Sequence, residues 1–512
     1  MSVNGPDVLA RRLIRAIIDG EIADRQDLED EKRRLSKELG LPELPSHPFI
    51  LSRARDDERE RVLPMLMLKP SRTASGVAVV AVQTSPVQTC PGNCIFCPEF
   101  PEASKSYTGN EPASMRAIQC GYDPHLQVSS RLEQLKSMGH PTTKVELIVQ
   151  GGTFPAMDLE YRRWFVARCL DAMSGKTRST LGGSIAGAEG GTSRPVGITF
   201  ETRPDWCGPG EVEAMMALGG TRVELGVQTL SDRVLGEVGR RHNVNDIASA
   251  FHSSRSFGLK VCAHMMLGLP GSEKATDLES FRKLFWDPRF RPDELKIYPT
   301  LVIGGTRLFE MWRNGEYKPL TDEVLEELLV AVKELVPPWV RIKRVMRDIP
   351  SRMIEAGPRA SDMRNRVQLR LKSGGRKCQC IRCREVARAS REPGELRLVE
   401  RSYGVAGGEE VFLSYEDVEG TLAAFLRLSI QDGGKCRVRE LHTYGRAVEV
   451  GAGPSPGDFQ HRGLGRALLT RAEEMARGAG FEKLWVTSGI GARAYYRDAG
   501  YFLQEPYMVR GL

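Results

Sequence analysis

Cys90-Pro-Gly-Asn-Cys94-Ile-Phe-Cys97 is the stretch that decides how this chain reads. Its C-x3-C-x2-C spacing follows directly on the apolar run 77–82. Three thiolates on one short loop can hold three corners of a [4Fe–4S] cube and leave the fourth iron open. An open iron can bind the amino and carboxylate groups of S-adenosylmethionine and pass it an electron. The radical chemistry that follows belongs to the cofactor, not to a side chain. Two other readings exist, a zinc knuckle and three unrelated buried thiols. A zinc site needs a fourth ligand, and none lies close by in the sequence.

Outward from this loop, short β-branched runs alternate with longer amphipathic stretches. The runs are 77–82, 145–149, 196–200, 223–226, 261–266 and 295–298, with amphipathic segments at 126–138 and 159–173. Strand-then-helix repetition implies βα units and a parallel sheet. The fold class expected is α/β, a partial (βα)6 barrel over residues 76–340 with its site at the C-terminal ends of the strands. Gly151 and Gly152 stand where the 145–149 run stops, and glycines there let backbone approach a ligand closely. Glu201 and Arg203 stand where 196–200 stops. They either form a local ion pair or take a ribose hydroxyl and a carboxylate through charge-assisted bonds. Lys296 and Tyr298 follow the same logic, with Lys296 a candidate for catalysis and for cofactor binding. His264 reads as a packed strand residue. Residues 175–195 read as a flexible surface insertion. Gly175-Lys176-Thr177 is no phosphate loop, because Leu170 stands where the earlier glycine is needed.

At 512 residues the chain exceeds one core and suggests several domains. No apolar stretch approaches transmembrane length, and the charged N-terminus lacks the core of a signal peptide. Of eleven cysteines, six fall in two tight clusters, which points to metal binding in a reducing, cytoplasmic setting. Residues 1–75 form a helical N-terminal segment, with Leu9, Leu13 and Ile17 at helical spacing. Net charge is +7, yet residues 341–401 alone hold 18 Lys/Arg against 7 Asp/Glu. Such a block is the footprint of a phosphate-backbone binder, a solvated surface being the plainer alternative. Within it lies Cys378-Gln-Cys380-Ile-Arg-Cys383. Three thiolates this close suit a structural Zn2+ that ties the basic linker 341–394 to a domain junction, with a second iron–sulfur cluster as the alternative. The fourth ligand is not identifiable, Cys207 being a candidate on residue type alone.

Residues 395–512 form a separate α/β domain, with strands at 411–415, 423–429 and 438–444 and a helix at 466–477. Gln460-His461-Arg462-Gly463-Leu464-Gly465 stands directly before that helix, and a helix N-terminus entered through glycines makes an anion site. Its Q-x-x-G-x-G pattern is similar to the acetyl-CoA pyrophosphate loop of GNAT acetyltransferases. Tyr495 and Tyr496, ahead of Gly500-Tyr501, resemble the GNAT ending in which a tyrosine sits near the thioester sulfur. Aromatic packing is the alternative for at least one of them. Glu440 and His442, like His461, are candidates to assist at the thioester.

The cysteine spacing is that of radical-SAM enzymes. Together with the strings at 106–117, 122–124, 201–205, 298–302 and 439–442, it makes the chain resemble the Elongator catalytic-subunit family from about residue 60 onward. Single-chain archaeal and bacterial members are the closer comparison. Many members carry a longer gap between the first two cysteines, which leaves the shape of this loop open. The resemblance implies a tRNA uridine C5-carboxymethyltransferase acting on wobble uridine 34 of the anticodon stem-loop. Cys90, Cys94 and Cys97 would hold the cluster, while Gly151, Gly152 and Glu201 seat S-adenosylmethionine. Hydrogen abstraction from the acetyl-CoA methyl, addition at C5 and thioester hydrolysis would follow, with an external electron donor. Phosphate contacts would come from 341–401 and from 1–75, making binding salt-dependent. The oligomeric state stays open, a homodimer being one option. One rival is a protein lysine acetyltransferase with a structural cluster, disfavoured because the basic block repels lysine-rich tails. The other is a tRNA-binding scaffold with vestigial chemistry, disfavoured by the intact triad and loop.

Overall fold

The computed structural model describes residues 5–88, 90–389, 392–445 and 463–512. Four helices, Gly5–Asp19, Arg25–Glu38, His47–Ser52 and Asp56–Leu66, form the N-terminal segment. They bury Leu9, Leu13, Leu28, Ile50 and Val62 in a core of their own.

Seven parallel strands then pair in chain order: Ala78–Gln83, Lys144–Gln150, Arg194–Thr202, Arg222–Gln228, Lys260–Leu267, Glu294–Pro299 and Arg341–Val345. The first six lie where the sequence places them. The seventh lies inside the segment read as a basic linker and pairs Ile342 with Leu295. It escaped notice because Arg341, Lys343 and Arg344 interrupt any apolar run, and the carboxylates that match Arg341 and Lys343 are distant in sequence.

The flexible insertion expected at 175–195 is corrected by the helix Leu181–Glu189. Thr180 caps it by accepting from the Gly183 N–H, and buried Ser184 donates to Asp171 Oδ1 at 2.8 Å. The small residues there serve close packing: a Cβ on Gly191 would lie 3.0 Å from the Ser174 Cα.

The second sheet orders its strands as Arg397–Val405, Gly408–Glu416, Leu422–Gln431, Cys436–Thr443, Lys483–Val486, Tyr507–Gly511 and Phe502–Gln504. The helix Leu464–Gly478 packs Leu468, Leu469 and Ala472 into its core. Cys436–Thr443 and Lys483–Val486 run parallel but pair only from Cys436 to Val438, and then part. The wedge so opened meets the start of the helix: a Cβ on Gly465 would lie 3.6 Å from Thr443 Oγ1.

This domain docks under the N-terminal ends of the barrel strands. Arg439, fully buried, donates to Asp293 at 2.8 and 2.7 Å, to Glu410, and to the Leu259 carbonyl at 3.0 Å. Lys260 reaches Glu440 at 3.0 Å, and Glu440 also accepts from Arg427 at 2.8 Å. Above this seam the barrel interior is charged, whereas barrels usually fill it with branched aliphatics. Arg222 bridges Glu146 and Glu294, and Lys343 lies 2.9 Å from Glu146 and 3.3 Å from Glu294. Lys296 ends the series on Glu224.

Burial pushes the Asp293 carboxyl up, but Arg439 and Arg427 outweigh it and hold the group at about 2. A depressed folded value gives stability that is present above the ordinary carboxyl range and is lost as pH falls toward 2. Arg439→Ala removes from buried Asp293 and Glu410 the nearest cation of each and should cost about 3–5 kcal/mol, read as a lowered urea midpoint at pH 7. The difference from wild type should shrink as the pH falls from about 4 to about 2.

Candidate active site

The three cysteines lie between the first barrel strand and the helix Pro112–Gln119, in a loop that covers the C-terminal ends of the strands. Cys90 Sγ sits 3.1 Å from Thr153 Oγ1, Cys97 Sγ sits 3.0 Å from Ser106 Oγ, and Arg240 donates to Cys94 Sγ at 3.3 Å. All three thiols are half-buried and free. Ligands on separate corners of a cube must spread wider than ligands on one ion. Accordingly this triad does not gather within 4.8 Å, the radius inside which Cys378, Cys380 and Cys383 do gather.

Beside the triad two glycines let the backbone turn tightly against its neighbours. Gly151 has φ +136°, and a Cβ there would meet Thr84 Oγ1 at 1.9 Å. Gly152 has φ +95° and a Cβ would press Cys90 at 3.2 Å. The hydroxyl of buried Thr84 and Nη1 of Arg203 have no protein partner. A polar cradle against a thiol loop suits a small zwitterion next to a cluster, so the donor set and the space both fit the expected groups.

Glu201 and Arg203 do not pair with each other. Arg203 binds Asp205 at 2.9 and 2.7 Å and leans on Gly92 in the cysteine loop. Glu201 accepts instead from the Tyr107 hydroxyl at 3.2 and 3.0 Å. Burial and the Glu201 charge push that phenol well above its usual range, so it stays a donor. The Tyr107 side chain lies in one of the strings that carried the family resemblance, but nothing local marked it as a partner of Glu201.

Below them lies a cavity of about 870 Å³, lined among others by Cys94, Tyr107, Glu201, His264, Lys296 and Tyr298. His264, expected as strand packing, is thereby corrected: it faces this cavity from Lys260–Leu267. Its Nε2 donates to Glu224 Oε2 at 3.0 Å, and its ring meets Tyr298 edge-on. Lys296 holds the same carboxylate oxygen. Burial alone would lower the Lys296 ammonium, but Glu224, with Tyr298, Cys262 and Glu201, outweighs it and raises the group, so it is a fixed cation rather than a base. Burial and Lys296 together lower His264, which leaves the imidazole neutral. The missed signal was the alternation Lys260, Cys262, His264, which puts all three on the barrel's inner face.

In the second domain Gly463 enters the helix at φ +79°. Tyr495 is 42% exposed, and its hydroxyl lies 3.1 Å from where a Cβ on Gly465 would stand. Tyr496 is buried against Tyr501. Leu464 opens the helix itself. Gln460, His461 and Arg462 lie outside the described residues. Glu440 is engaged by Lys260 and Arg427 in the seam, while His442 Nε2 donates to the Ser75 carbonyl at 3.2 Å. Burial lowers His442 to about 4, so it too is neutral.

Cys207 is no ligand of the second cysteine cluster: it is buried in the barrel with its Sγ 3.4 Å from Ser254 Oγ. The basic block is also less available than its composition suggests. Arg341 pairs with Glu385 at 2.7 Å, Arg366 with Glu326 at 2.9 Å, Arg384 with Glu416 at 2.9 Å and Arg401 with Glu416 at 2.7 Å.

The chain matches the Radical SAM superfamily over residues 84–284 and its C-terminal domain over 292–373. It matches the ELP3 N-terminal domain over 8–74 and the Acetyltransferase (GNAT) family over 383–501. It is 43% identical to the tRNA uridine(34) acetyltransferase of Methanocaldococcus jannaschii over 532 residues, covering 98% of each chain. It is 42% identical to Elongator complex protein 3 of Homo sapiens, over 95% of this chain and 93% of that one. The solved Methanocaldococcus infernus Elp3 lacking residues 1–46 superposes with a TM-score of 0.77 at 40% identity, over 86% of this chain and 100% of that one. The similarity thus takes in the N-terminal helices that the sequence strings left out, and by this full-length likeness the chain belongs to the tRNA uridine(34) acetyltransferase and Elongator complex protein 3 family.

Proposed function

We propose that this chain is the enzyme that builds a carboxymethyl group onto C5 of wobble uridine 34 in tRNA. The observation that carries the reading is the pairing of two sites in one chain. A thiol loop with a glycine cradle tops the barrel, and a glycine-entered helix wedge lies in the domain docked beneath it. When bound, the [4Fe–4S] cluster with S-adenosylmethionine supplies radical chemistry, and acetyl-CoA supplies the two-carbon unit.

Cys90, Cys94 and Cys97 hold the cluster, and the Gly151–Gly152 turn receives the amino-acid end of S-adenosylmethionine. Arg203 Nη1, unpartnered behind the cysteine loop, is free to take its carboxylate. Glu201 exchanges the Tyr107 hydroxyl for a ribose hydroxyl. Neutral His264, held by Glu224, offers the cavity floor a proton acceptor, while the Lys296 cation fixes Glu224 as a carboxylate. At the second site the helix start at Gly463, Leu464 and Gly465 receives the pyrophosphate of acetyl-CoA. Tyr495 places a hydroxyl beside the same helix start, where it can donate to the thioester or its leaving sulfur.

Cys378, Cys380 and Cys383 suit a structural Zn2+. Tetrahedral Zn–S bonds put thiolates about 3.8 Å apart, within the 4.8 Å spread of these three. The cytoplasm suits a chain whose eleven cysteines are all unpaired. No described helix is long and apolar enough to cross a membrane.

Nucleoside mass spectrometry after anaerobic incubation with tRNA, S-adenosylmethionine, acetyl-CoA and reductant tests the reading. Carboxymethyluridine should form and depend on every component. Cys94→Ala should abolish it, remove the cluster's visible absorption and leave tRNA binding within about twofold of wild type, since that affinity rests on phosphate contacts made by other residues. Acetylated peptide amines, formed equally by wild type and by Cys94→Ala, would instead favour a lysine acetyltransferase. For the second cluster, Cys380→Ser should lower bound zinc by about one equivalent per chain and depress the melting temperature by several degrees, with iron content unchanged.

A further inference from the structure

Three arginines line the same cavity from the side of its first strand, and none has a carboxylate within ion-pair distance among the described residues. Arg72 ends the short helix Pro70–Arg72, Arg116 lies on Pro112–Gln119, and Arg131 lies on Pro124–Ser137. Their protein contacts are neutral and partial. Arg116 Nη2 donates to the Ala81 carbonyl at 2.6 Å, and Arg131 Nη1 donates to Gln134 Oε1 at 2.5 Å. Arg116 Nε is buried with no partner at all. The one acid on this wall, Glu111, is consumed by the Thr108 N–H at 3.0 Å and the Ser114 hydroxyl at 3.0 Å.

Like charges so placed repel one another. Burial, Arg116 and Arg72 pull Arg131 down to about 10, and Arg72 and Arg131 also lower nearby His140. A folded chain bears that cost where a polyanion completes the site. The contrast with the 341–401 block is direct, since most cations there are paired internally. Val79 and Met115, both exposed, line the same wall and supply apolar surface beside the guanidiniums.

We propose that Arg72, Arg116 and Arg131 form a phosphate-binding cluster at the cavity mouth, holding the backbone of the RNA strand whose base enters the cavity. The proposal rests on the RNA substrate argued above. Guanidinium forks match phosphate oxygens two at a time, and three from three elements fix the strand's direction as well as its position. The cluster reads no sequence; it sets register, as phosphate contacts do.

The test measures binding of a fluorescent anticodon stem-loop RNA to the full chain by anisotropy across a salt series. Calorimetric acetyl-CoA affinity is measured alongside. The Arg72→Gln/Arg131→Gln double variant should raise Kd at least tenfold at 0.1 M salt and flatten the slope of log K against log salt by about 1.4, some 0.7 per lost contact. Arg376→Gln, whose guanidinium already pairs with Glu334 at 3.2 Å, should change neither. Arg72 is exposed, so Arg72→Gln alone, with half the slope change, serves if the double variant fails to fold. An unchanged Kd and slope in a variant, with wild type binding the RNA normally, overturns the cluster and leaves the RNA substrate standing. A variant that loses acetyl-CoA affinity instead of RNA affinity overturns it in favour of a coenzyme pyrophosphate site. Wild type that binds no RNA overturns the substrate reading and the cluster with it.

Discussion

Asp293 and Arg439 meet fully buried in the seam, and the joint architecture of the two sheets follows from the need to satisfy them. Arg439 belongs to the second sheet and Asp293 to the loop that opens the sixth barrel strand. Neither charge is tolerable without the other, because each loses its hydration on folding. Glu410, Arg255, Arg427, Glu440 and Lys260 extend the pairing outward, so matched charge joins the domains alongside the apolar core they share. Backbone approaches complete the fit: Gly489 and Gly491 lie so close to Val196 and Arg194 that no side chain would fit between them.

The same logic continues up the barrel. Glu146, Arg222, Glu294 and Lys343 neutralise one another in the interior, and the series ends at Glu224, Lys296 and His264 on the cavity floor. A charged interior costs several kcal/mol per ion in desolvation before pairing returns it. In return, the groups facing the cavity are held by neighbours that cannot drift, in defined protonation states. Lys296 is a fixed cation because Glu224 and its neighbours outweigh its burial, and His264 is a neutral base because burial and that same cation lower it.

Much of the site was legible from residue order alone. The Cys90–Cys94–Cys97 spacing, the glycine pair after a strand, and Gly463 to Gly465 before a helix are local patterns, and local patterns survive in one dimension. The six apolar strands were legible because their burial is continuous. The seventh strand was not, because Arg341, Lys343 and Arg344 break up its apolar run and the carboxylates that neutralise Lys343 come from distant strands. Composition misled in two places. Small residues at 175–195 pack a helix against its neighbour, and many cations of the basic block at 341–401 are paired with carboxylates of the protein itself.

The sequence by itself determined the chemistry: which thiols cluster, where backbone yields space to a ligand, and which family the chain resembles. These depend on residues a few positions apart, whose relation is covalent. Tertiary structure alone decided which charges are free. Arg366 and Arg384 are neutralised, Arg72 and Arg131 are not, and His264 faces a cavity instead of a core. Such outcomes turn on partners brought together from across the chain, and the strength of an ion pair depends on burial and distance in space, neither of which is written in residue order.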